Sequence, residues 1–143
     1  MANGMFTPAK EGLLSGEIDL DTATIKVALV RSYQYNAAHK WVSDVTGAGG
    51  VVLATSGALT GKAVVGGVFD ANDVTFTTPS ASASNHYYLV FQSSAVVGGA
   101  DVAATAQRVI VWYDTGANLP VTTNGSDVIC QWNSGPGRIF RLV

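Results

Sequence analysis

The chain has 143 residues, of which 13% are charged and 48% are hydrophobic, and its formal net charge is -2. An ordinary globular domain carries about 25% charged residues, so the surface of this protein is either unusually uncharged or largely covered. No cluster of Lys and Arg is present to neutralise phosphates, so we expect no nucleic-acid partner. The longest apolar runs are far shorter than the roughly 20 residues of a membrane span, and a soluble protein without a membrane partner is expected.

Length and cysteine usage predict a simple organisation. We expect a single domain over residues 1–143, with an N-terminal arm over 1–17 and a β-sandwich over 18–143. Cys130 is the only cysteine. It cannot form an internal disulfide, and it lacks the partner spacing of a zinc or redox motif. The first residues show no apolar segment of a secretory signal, so synthesis in a reducing compartment is expected.

The stretch TPAKEGLLSG, residues 7–16, has the pattern of a short helix. Thr7 can cap it, Pro8 suits its first position and Gly16 can end it. A helix of about two turns is marginal in water unless it docks against something. Because its large apolar side chains lie outside the β pattern, we expect the arm to contact a neighbouring subunit through Met5, Phe6, Leu13 and Leu14.

From Ile25 onward the pattern predicts strands. Each candidate is rich in Val, Ile, Thr or aromatic residues and is bounded by turn residues. The candidates cover residues 25–30, 51–55, 58–65, 73–76, 86–92, 107–113, 127–132 and 138–143. About eight short strands with no helical pattern between them predict an all-β fold, an antiparallel sandwich or barrel. A hairpin through residues 133–137 is expected to join the last two strands, and residues 31–50, 78–85 and 93–105 are expected to be loops.

Two of the predicted strands are apolar on both faces. In residues 86–92, Tyr88 alternates with other large apolar side chains, and Trp112 does the same in residues 107–113. A sandwich strand with one face in water should instead alternate apolar and polar residues. The second face must therefore be covered, either by helix 7–16 or a long loop of the same chain, or by a subunit or partner. The second alternative makes Tyr88 and Trp112 candidate interface residues.

The sequence contains only weak candidates for a phosphate-binding, catalytic or metal-binding motif. Residues 56–64, SGALTGKAV, lack the spacing, the hydroxyl residue and the following helix of a phosphate loop, so a turn is predicted. His39 lies near Asp44 in the sequence, but no nucleophile elbow accompanies them. The histidines lack metal-ligand spacing, and the acidic stretches 16–22 and 69–76 do not match a calcium loop. We expect no enzyme, and no catalytic, cofactor-binding or metal-binding residue.

The stretch LPVTTNGSDVICQW, residues 119–132, combines a thiol, an acid and a glycosylation sequence. The plainer interpretation is a turn with Gly125 at positive φ, followed by a strand. Val128, Cys130 and Trp132 would then share one face of that strand. We expect Cys130 to be a small buried residue there, without a reactive role.

Five stretches taken in order are similar to one known family: FTPAKEGLLSGEIDL, TIKVALVRSYQY, GVFDANDVTF, LPVTTNGSDVICQW and RIFRL. Together they resemble small cement, or decoration, proteins of tailed bacteriophages. The likeness covers both ends and the middle of the chain, and it depends on the order of the stretches because no single one is specific. Relatives tend to have proline where Thr123 stands and a second glycine where Ser126 stands, a difference that loosens the turn.

The resemblance implies a jelly-roll-like β-sandwich and a structural role on the outer capsid surface of a virion, after synthesis in the host bacterial cytoplasm. Its partners would be the major capsid protein shell and other copies of itself, as a homodimer or homotrimer. Its task would be to hold neighbouring major capsid proteins together against the pressure of packaged DNA. A tail or head-fibre role remains an alternative, as does a carbohydrate-binding host-recognition module that uses Trp41, Trp112 and Trp132.

Overall fold

A computed structural model describes residues 3–116, 119–132 and 139–142. Within these ranges the helices are α1 (Thr7–Ser15) and α2 (Val42–Gly47). The strands are β1 (Gly4–Met5), β2 (Thr24–Arg31), β3 (Val51–Thr55), β4 (Ala63–Val65), β5 (Val68–Asp70), β6 (Val74–Phe76), β7 (Ser82–Ser94), β8 (Arg108–Tyr113), β9 (Val121–Thr123), β10 (Val128–Cys130) and β11 (Phe140–Arg141). The prediction of an all-β fold with antiparallel sheets is confirmed, and the arrangement is sandwich-like.

The strands form one large sheet and two small ones. The large sheet has the order β1-β8-β7-β2-β3, and β9 pairs with β7 outside this path. The small sheets are β10-β6 and β11-β5-β4. The predicted hairpin between the last two strands is wrong, because β10 pairs with β6 while β11 pairs with β5. The predicted loop itself, residues 133–137, lies outside the described residues.

Both faces of the large sheet are covered by the chain itself. On one face the ring of Trp112 packs edge-on against Tyr33, with 4.9 Å between ring centroids. On the other face Tyr88 stacks on Phe76 of β6 at 6.3 Å. The apolar character of both faces is therefore explained by intramolecular burial: the segment between β2 and β3 lies on one side, and a small sheet lies on the other.

The N-terminal segment docks on its own sheet. β1 pairs with β8, and the backbone N–H of Phe6 donates to the carbonyl of Ile110 at 3.0 Å. Phe6, and not Thr7, occupies the N-cap position of α1; its ring is buried, and no side chain makes a capping hydrogen bond there. The N–H of Thr7 donates to the carbonyl of Ala37 instead, at 2.7 Å. Gly16 ends the helix in a left-handed conformation with φ of 82°, as the sequence predicts.

Several short elements differ from the prediction. α2 lies inside the expected loop 31–50, and β5 and β9 lie where the sequence pattern predicts no strand. Residues 58–62 are not strand, so the predicted strand 58–65 reduces to β4. β7 begins at Ser82, inside the expected loop 78–85. β4 and β5 are joined by Gly66 and Gly67, whose φ values of 61° and 77° fit a two-residue turn that glycine adopts readily.

Candidate interaction surfaces

The six predicted interface residues are in different environments, and most are covered by the chain's own core. Phe6, Tyr88 and Trp112 are buried, so they have no surface to offer a partner in this fold. Met5 and Leu13 are partly buried against the core. Leu14 alone is open, with 84% of its surface exposed. For Tyr88 and Trp112 the interface prediction is wrong because an apolar pattern on both faces of a strand shows that the second face is covered and not what covers it, and Phe6 is covered by its own sheet.

Cys130 lies in a buried cluster with Tyr88 and Tyr113. Burial, together with the negative charge of Asp73, raises the pKa of the Cys130 thiol to about 12. Burial also raises the pKa of the Tyr88 and Tyr113 hydroxyls. Because the thiolate is the nucleophilic form, a thiol with so high a pKa behaves as a small apolar residue. The prediction of a buried Cys130 is confirmed.

The turn before β10 also follows the prediction. Gly125 has φ of 90°, and the side chain of Asn124 accepts a hydrogen bond from the backbone N–H of Ser126 at 3.0 Å. The carboxylate of Asp127 accepts a bond from the N–H of Thr78 at 2.8 Å and so holds the turn to the segment after β6. The stretch is a structural corner between β9, which pairs with β7 of the large sheet, and β10 of a small sheet.

Asp44 and His39, which lie near each other in the sequence, make separate hydrogen bonds that fix the local structure. One carboxylate oxygen of Asp44 accepts bonds from the N–H groups of Lys40 and Trp41, both at 2.9 Å, and these bonds hold the pKa of Asp44 below its usual range. His39 Nδ1 lies 2.8 Å from the hydroxyl of Tyr33. Among the described residues, no group of three or more His, Cys, Asp or Glu could hold a metal ion. Neither of the two described helices is long and apolar enough to cross a membrane.

The rings of the three tryptophans contact other side chains of the same chain. Trp112 is buried, and Trp41 lies beneath the charged ends of Lys40 and Arg108, at 4.9 and 5.5 Å from the ring centre. Trp132 packs against Tyr113, and its indole N–H donates to the carbonyl of Asn72 at 3.2 Å. No observation on these rings favours a sugar-stacking role.

A cleft of about 320 Å³ lies between the end of α1 and the small β11-β5-β4 sheet. Its floor is a row across that sheet, in which Phe69 lies opposite Val64 on one side and Phe140 on the other. Leu142 extends the floor, since residues 140 and 142 of an extended strand point to the same side. The facing wall comes from α1 and the segment after it, through Leu13, Ile18 and Leu20, with Asp19 and Asp21 also lining the cleft.

The aliphatic side chains around the cleft are open to solvent. Val64 is 47% exposed and Leu142 is 48% exposed, while Leu14 stands beside the wall residue Leu13. Large apolar side chains gathered in this way mark interaction surfaces more often than they mark bare monomer surface. We call this region, formed by the cleft and Leu14, the cleft surface.

A second open apolar region is the long connection between β7 and β8. It runs over residues 95–107, thirteen residues in an antiparallel pair whose connection is usually two to five residues long. Val96 and Val97 are each 65% exposed, and Val102 is 40% exposed. We call this segment the valine loop.

The valine loop is fixed to the sheet at several points. The hydroxyl of Thr24 donates to the carbonyl of Val96 at 2.8 Å, and the N–H of Val102 donates to the carbonyl of Ser93 at 3.0 Å. The ammonium of Lys26 lies 2.8 Å from a carboxylate oxygen of Asp101. A long loop that holds exposed valines in a defined conformation suits protein recognition, because little ordering is left for the moment of binding.

Comparisons with known proteins find no matching family model, no matching curated protein and no matching solved structure. Any functional assignment therefore depends on the residues and surfaces described above.

Proposed function

We propose that this chain is a structural virion protein that binds the outer surface of an assembled tailed-phage capsid and stabilises contacts between neighbouring major capsid proteins. It acts by binding and not by catalysis. The observation that carries the proposal is the valine loop, a pinned thirteen-residue connection that presents exposed aliphatic side chains. The ordered stretches that resemble cement proteins, and the all-β sandwich-like fold, support the same role.

The mechanism is thermodynamic linkage between binding of this protein and assembly of the capsid. A subunit that binds the assembled lattice and not the free capsid protein shifts the assembly equilibrium towards the shell. At a free concentration of about 100 times its Kd, one such site contributes roughly 2.7 kcal/mol to the bound state. When one subunit contacts two neighbouring capsid proteins, the first contact raises the effective concentration for the second. Many modest contacts spread over a shell can therefore oppose internal pressure without a single tight site.

The valine loop also fits the chemistry of such a partner. Its exposed groups are small, aliphatic and uncharged apart from Asp101, which is paired with Lys26. Apolar contacts of this kind depend little on salt, whereas a nucleic-acid or polyanion site loses affinity steeply as salt rises. Binding to the shell is therefore expected to survive an increase in ionic strength.

The test is co-sedimentation of the purified protein with assembled shells of the major capsid protein and, separately, with unassembled capsid protein. We expect saturable binding to shells alone, and at least a tenfold loss of affinity for Val97→Asp. Ile129→Asp is the matched control, because Ile129 is a 50% exposed aliphatic residue outside the valine loop. Both variants should melt like the wild type, since exposed substitutions change stability by about 0.5 kcal/mol or less.

Electron microscopy of purified particles gives an independent answer. Copies spread over the capsid surface would agree with the proposal. Failure of the wild-type protein to bind shells, or copies confined to a tail or to a single vertex, would overturn it and favour the tail or head-fibre alternative. Equal loss of shell binding in Val97→Asp and Ile129→Asp would show that the valine loop is not the contact.

A further inference from the structure

The cleft surface combines an apolar floor with two carboxylates, those of Asp19 and Asp21. We propose that it receives a lysine or arginine side chain of a partner polypeptide. The aliphatic stem would lie on the floor, the charged end beside the two carboxylates, and apolar neighbours of the basic residue on the rim. This inference goes beyond the proposed function and does not depend on it, because it concerns a different surface and is tested without a capsid shell.

The turn after α1 places the two carboxylates at the cleft. Ile18 and Leu20 are buried. Asp19 and Asp21 alternate with them along the chain, are exposed and line the cleft. One carboxylate oxygen of Asp19 accepts bonds from the backbone N–H groups of Asp21 at 3.0 Å and Thr22 at 3.3 Å. The carboxylates are therefore positioned before a partner arrives, and little ordering is left for the moment of binding.

The cleft carries an excess of negative charge. Within the described part of the chain, neither Asp19 nor Asp21 forms an ion pair. The ammonium of Lys62 donates instead to the carbonyl oxygen of Ala23, and its charge interacts with those of the two carboxylates from a greater distance. Two carboxylates beside one ammonium attract a cation and repel an anionic partner.

The floor requires a cation that carries an apolar stem. Val64, Phe69 and Phe140 form an apolar row across the small sheet. The cleft has a volume of about 320 Å³, whereas an apolar cavity of roughly 150 Å³ already accommodates benzene. Lysine and arginine lay their methylene stems on apolar surface while the charged end stays in water. A bare metal ion would leave this floor uncovered, and two carboxylates offer too few oxygen ligands for calcium.

The rim identifies a polypeptide as the source of the cation. Leu14 is 84% exposed and Leu142 is 48% exposed, and both extend the apolar area beyond the floor. A small organic amine would cover the floor alone. A basic residue between apolar neighbours covers the floor and the rim together, so it removes more apolar surface from water.

The test is nuclear magnetic resonance titration of the isotope-labelled full chain with the acetylated and amidated peptide Leu-Lys-Leu-Lys-Leu. We expect saturable binding with a Kd at or below about 1 mM, and the largest amide shifts in residues 13–21, 64–69 and 140–142. Leu-Glu-Leu-Glu-Leu lacks the positive charge and Ser-Lys-Ser-Lys-Ser lacks the apolar neighbours. Each should bind at least about tenfold more weakly.

A pair of isosteric substitutions tests the charges. The double variant Asp19→Asn with Asp21→Asn should bind the peptide about three- to tenfold more weakly, because two exposed charge pairs are lost. Asparagine keeps the side-chain oxygen that accepts the backbone bonds of the turn. Asp127→Asn is the matched control, since Asp127 also accepts a backbone bond but lies outside the cleft, and it should bind like the wild type. Melting of each variant establishes that it is folded.

Salt provides a further test, because the affinity of the wild type should fall by a similar factor between about 20 mM and about 500 mM salt. The inference is overturned if binding does not saturate by about 5 mM peptide, or if either control peptide binds as tightly as Leu-Lys-Leu-Lys-Leu. A folded double variant that binds like the wild type overturns it equally, and putrescine that binds as tightly as the peptide would assign the cleft to small amines. Since shell binding is measured separately with Val97→Asp, failure here leaves the proposed function standing.

Discussion

Arg108 is a buried charge at the start of the apolar strand β8, and its replacement by methionine should destabilise the fold. Only 7% of its surface is exposed. Its guanidinium lies 2.6 Å from a carboxylate oxygen of Glu17 and 2.7 Å from the carbonyl oxygen of Pro8, and it also lies over the ring of Trp41. These contacts tie α1 and the segment before α2 to β8.

The loss in the free energy of unfolding of Arg108→Met depends on which groups lose a hydrogen-bond partner. Hydrogen bonds to a charged group contribute about 1.5–3 kcal/mol. In Arg108→Met the Pro8 carbonyl loses the charged donor at 2.7 Å, while the Glu17 side chain, 60% exposed, can return to water. Removal of the arginine also removes its desolvation cost, and methionine retains the apolar packing of the stem. We therefore expect a net loss of about 1.5–3 kcal/mol, which lowers the Tm by roughly 5–10 °C.

The assay is urea unfolding followed by tryptophan fluorescence and far-ultraviolet circular dichroism. Glu17→Gln is the control: it keeps the shape of the partner, and we expect a smaller loss than for Arg108→Met because the Glu17 side chain is largely in water. A free energy of unfolding for Arg108→Met within about 0.5 kcal/mol of the wild type would refute the reasoning.

The ion pair between Arg108 and Glu17 also makes the stability of the fold depend on pH. The hydrogen bond and positive charge of Arg108 hold the pKa of Glu17 below its ordinary value. A depressed folded-state pKa stabilises the protein above the unfolded-state pKa, and the contribution is lost as pH falls through the folded-state pKa. The advantage of the wild type over Glu17→Gln should therefore be complete at neutral pH and should shrink below about pH 4.3. A difference that stays constant down to pH 3 would contradict this origin.

Three further outcomes are expected. Gly50→Ala should destabilise the fold, because a Cβ there would lie 2.7 Å from the carbonyl oxygen of Val45, whereas Gly47→Ala, which meets nothing within 4 Å, should be neutral or stabilising by up to about 1 kcal/mol in thermal melts. Asp44→Ala should cost about 0.5–2 kcal/mol in urea unfolding through the loss of its two backbone bonds, and equal stability at pH 7 would contradict the capping role. Cys130 should react with a thiol reagent at a rate limited by unfolding, so rapid labelling of the native protein would show that the thiol is accessible.

The sequence pattern predicts β2 and β8 well because both are rich in apolar and β-branched residues, whereas the longest strand, β7, begins four residues before its predicted start. β2 and β8 appear within a residue or two of their predicted bounds. β5 and β9 have three residues each, too few for any period to be visible. α2 has six residues, and the side chain of Asp44 defines its start by accepting backbone hydrogen bonds. In the sequence this stretch resembles an ordinary polar loop.

The interaction surfaces were harder to predict for a different reason. The exposure of Leu14 is consistent with its position on a short helix, but the cleft beside it combines α1 with strands about fifty or more residues away. No local pattern indicates that Val64, Phe69 and Phe140 lie side by side. The valine loop was expected to be a surface loop, yet its contacts with Thr24 and Lys26 depend on the pairing of β7 with β2.

The pairing of the first strand with the eighth sets a condition on biosynthesis. The N–H of Phe6 donates to the carbonyl of Ile110, about a hundred residues later in the chain. At a synthesis rate of about 5–20 residues per second, β1 waits roughly 5–20 s for the strand that will bury it. During that interval the aromatic ring of Phe6 and the apolar side of α1 have no native partner. The newly made chain is therefore most exposed to misassociation with other nascent chains until β8 has been synthesised.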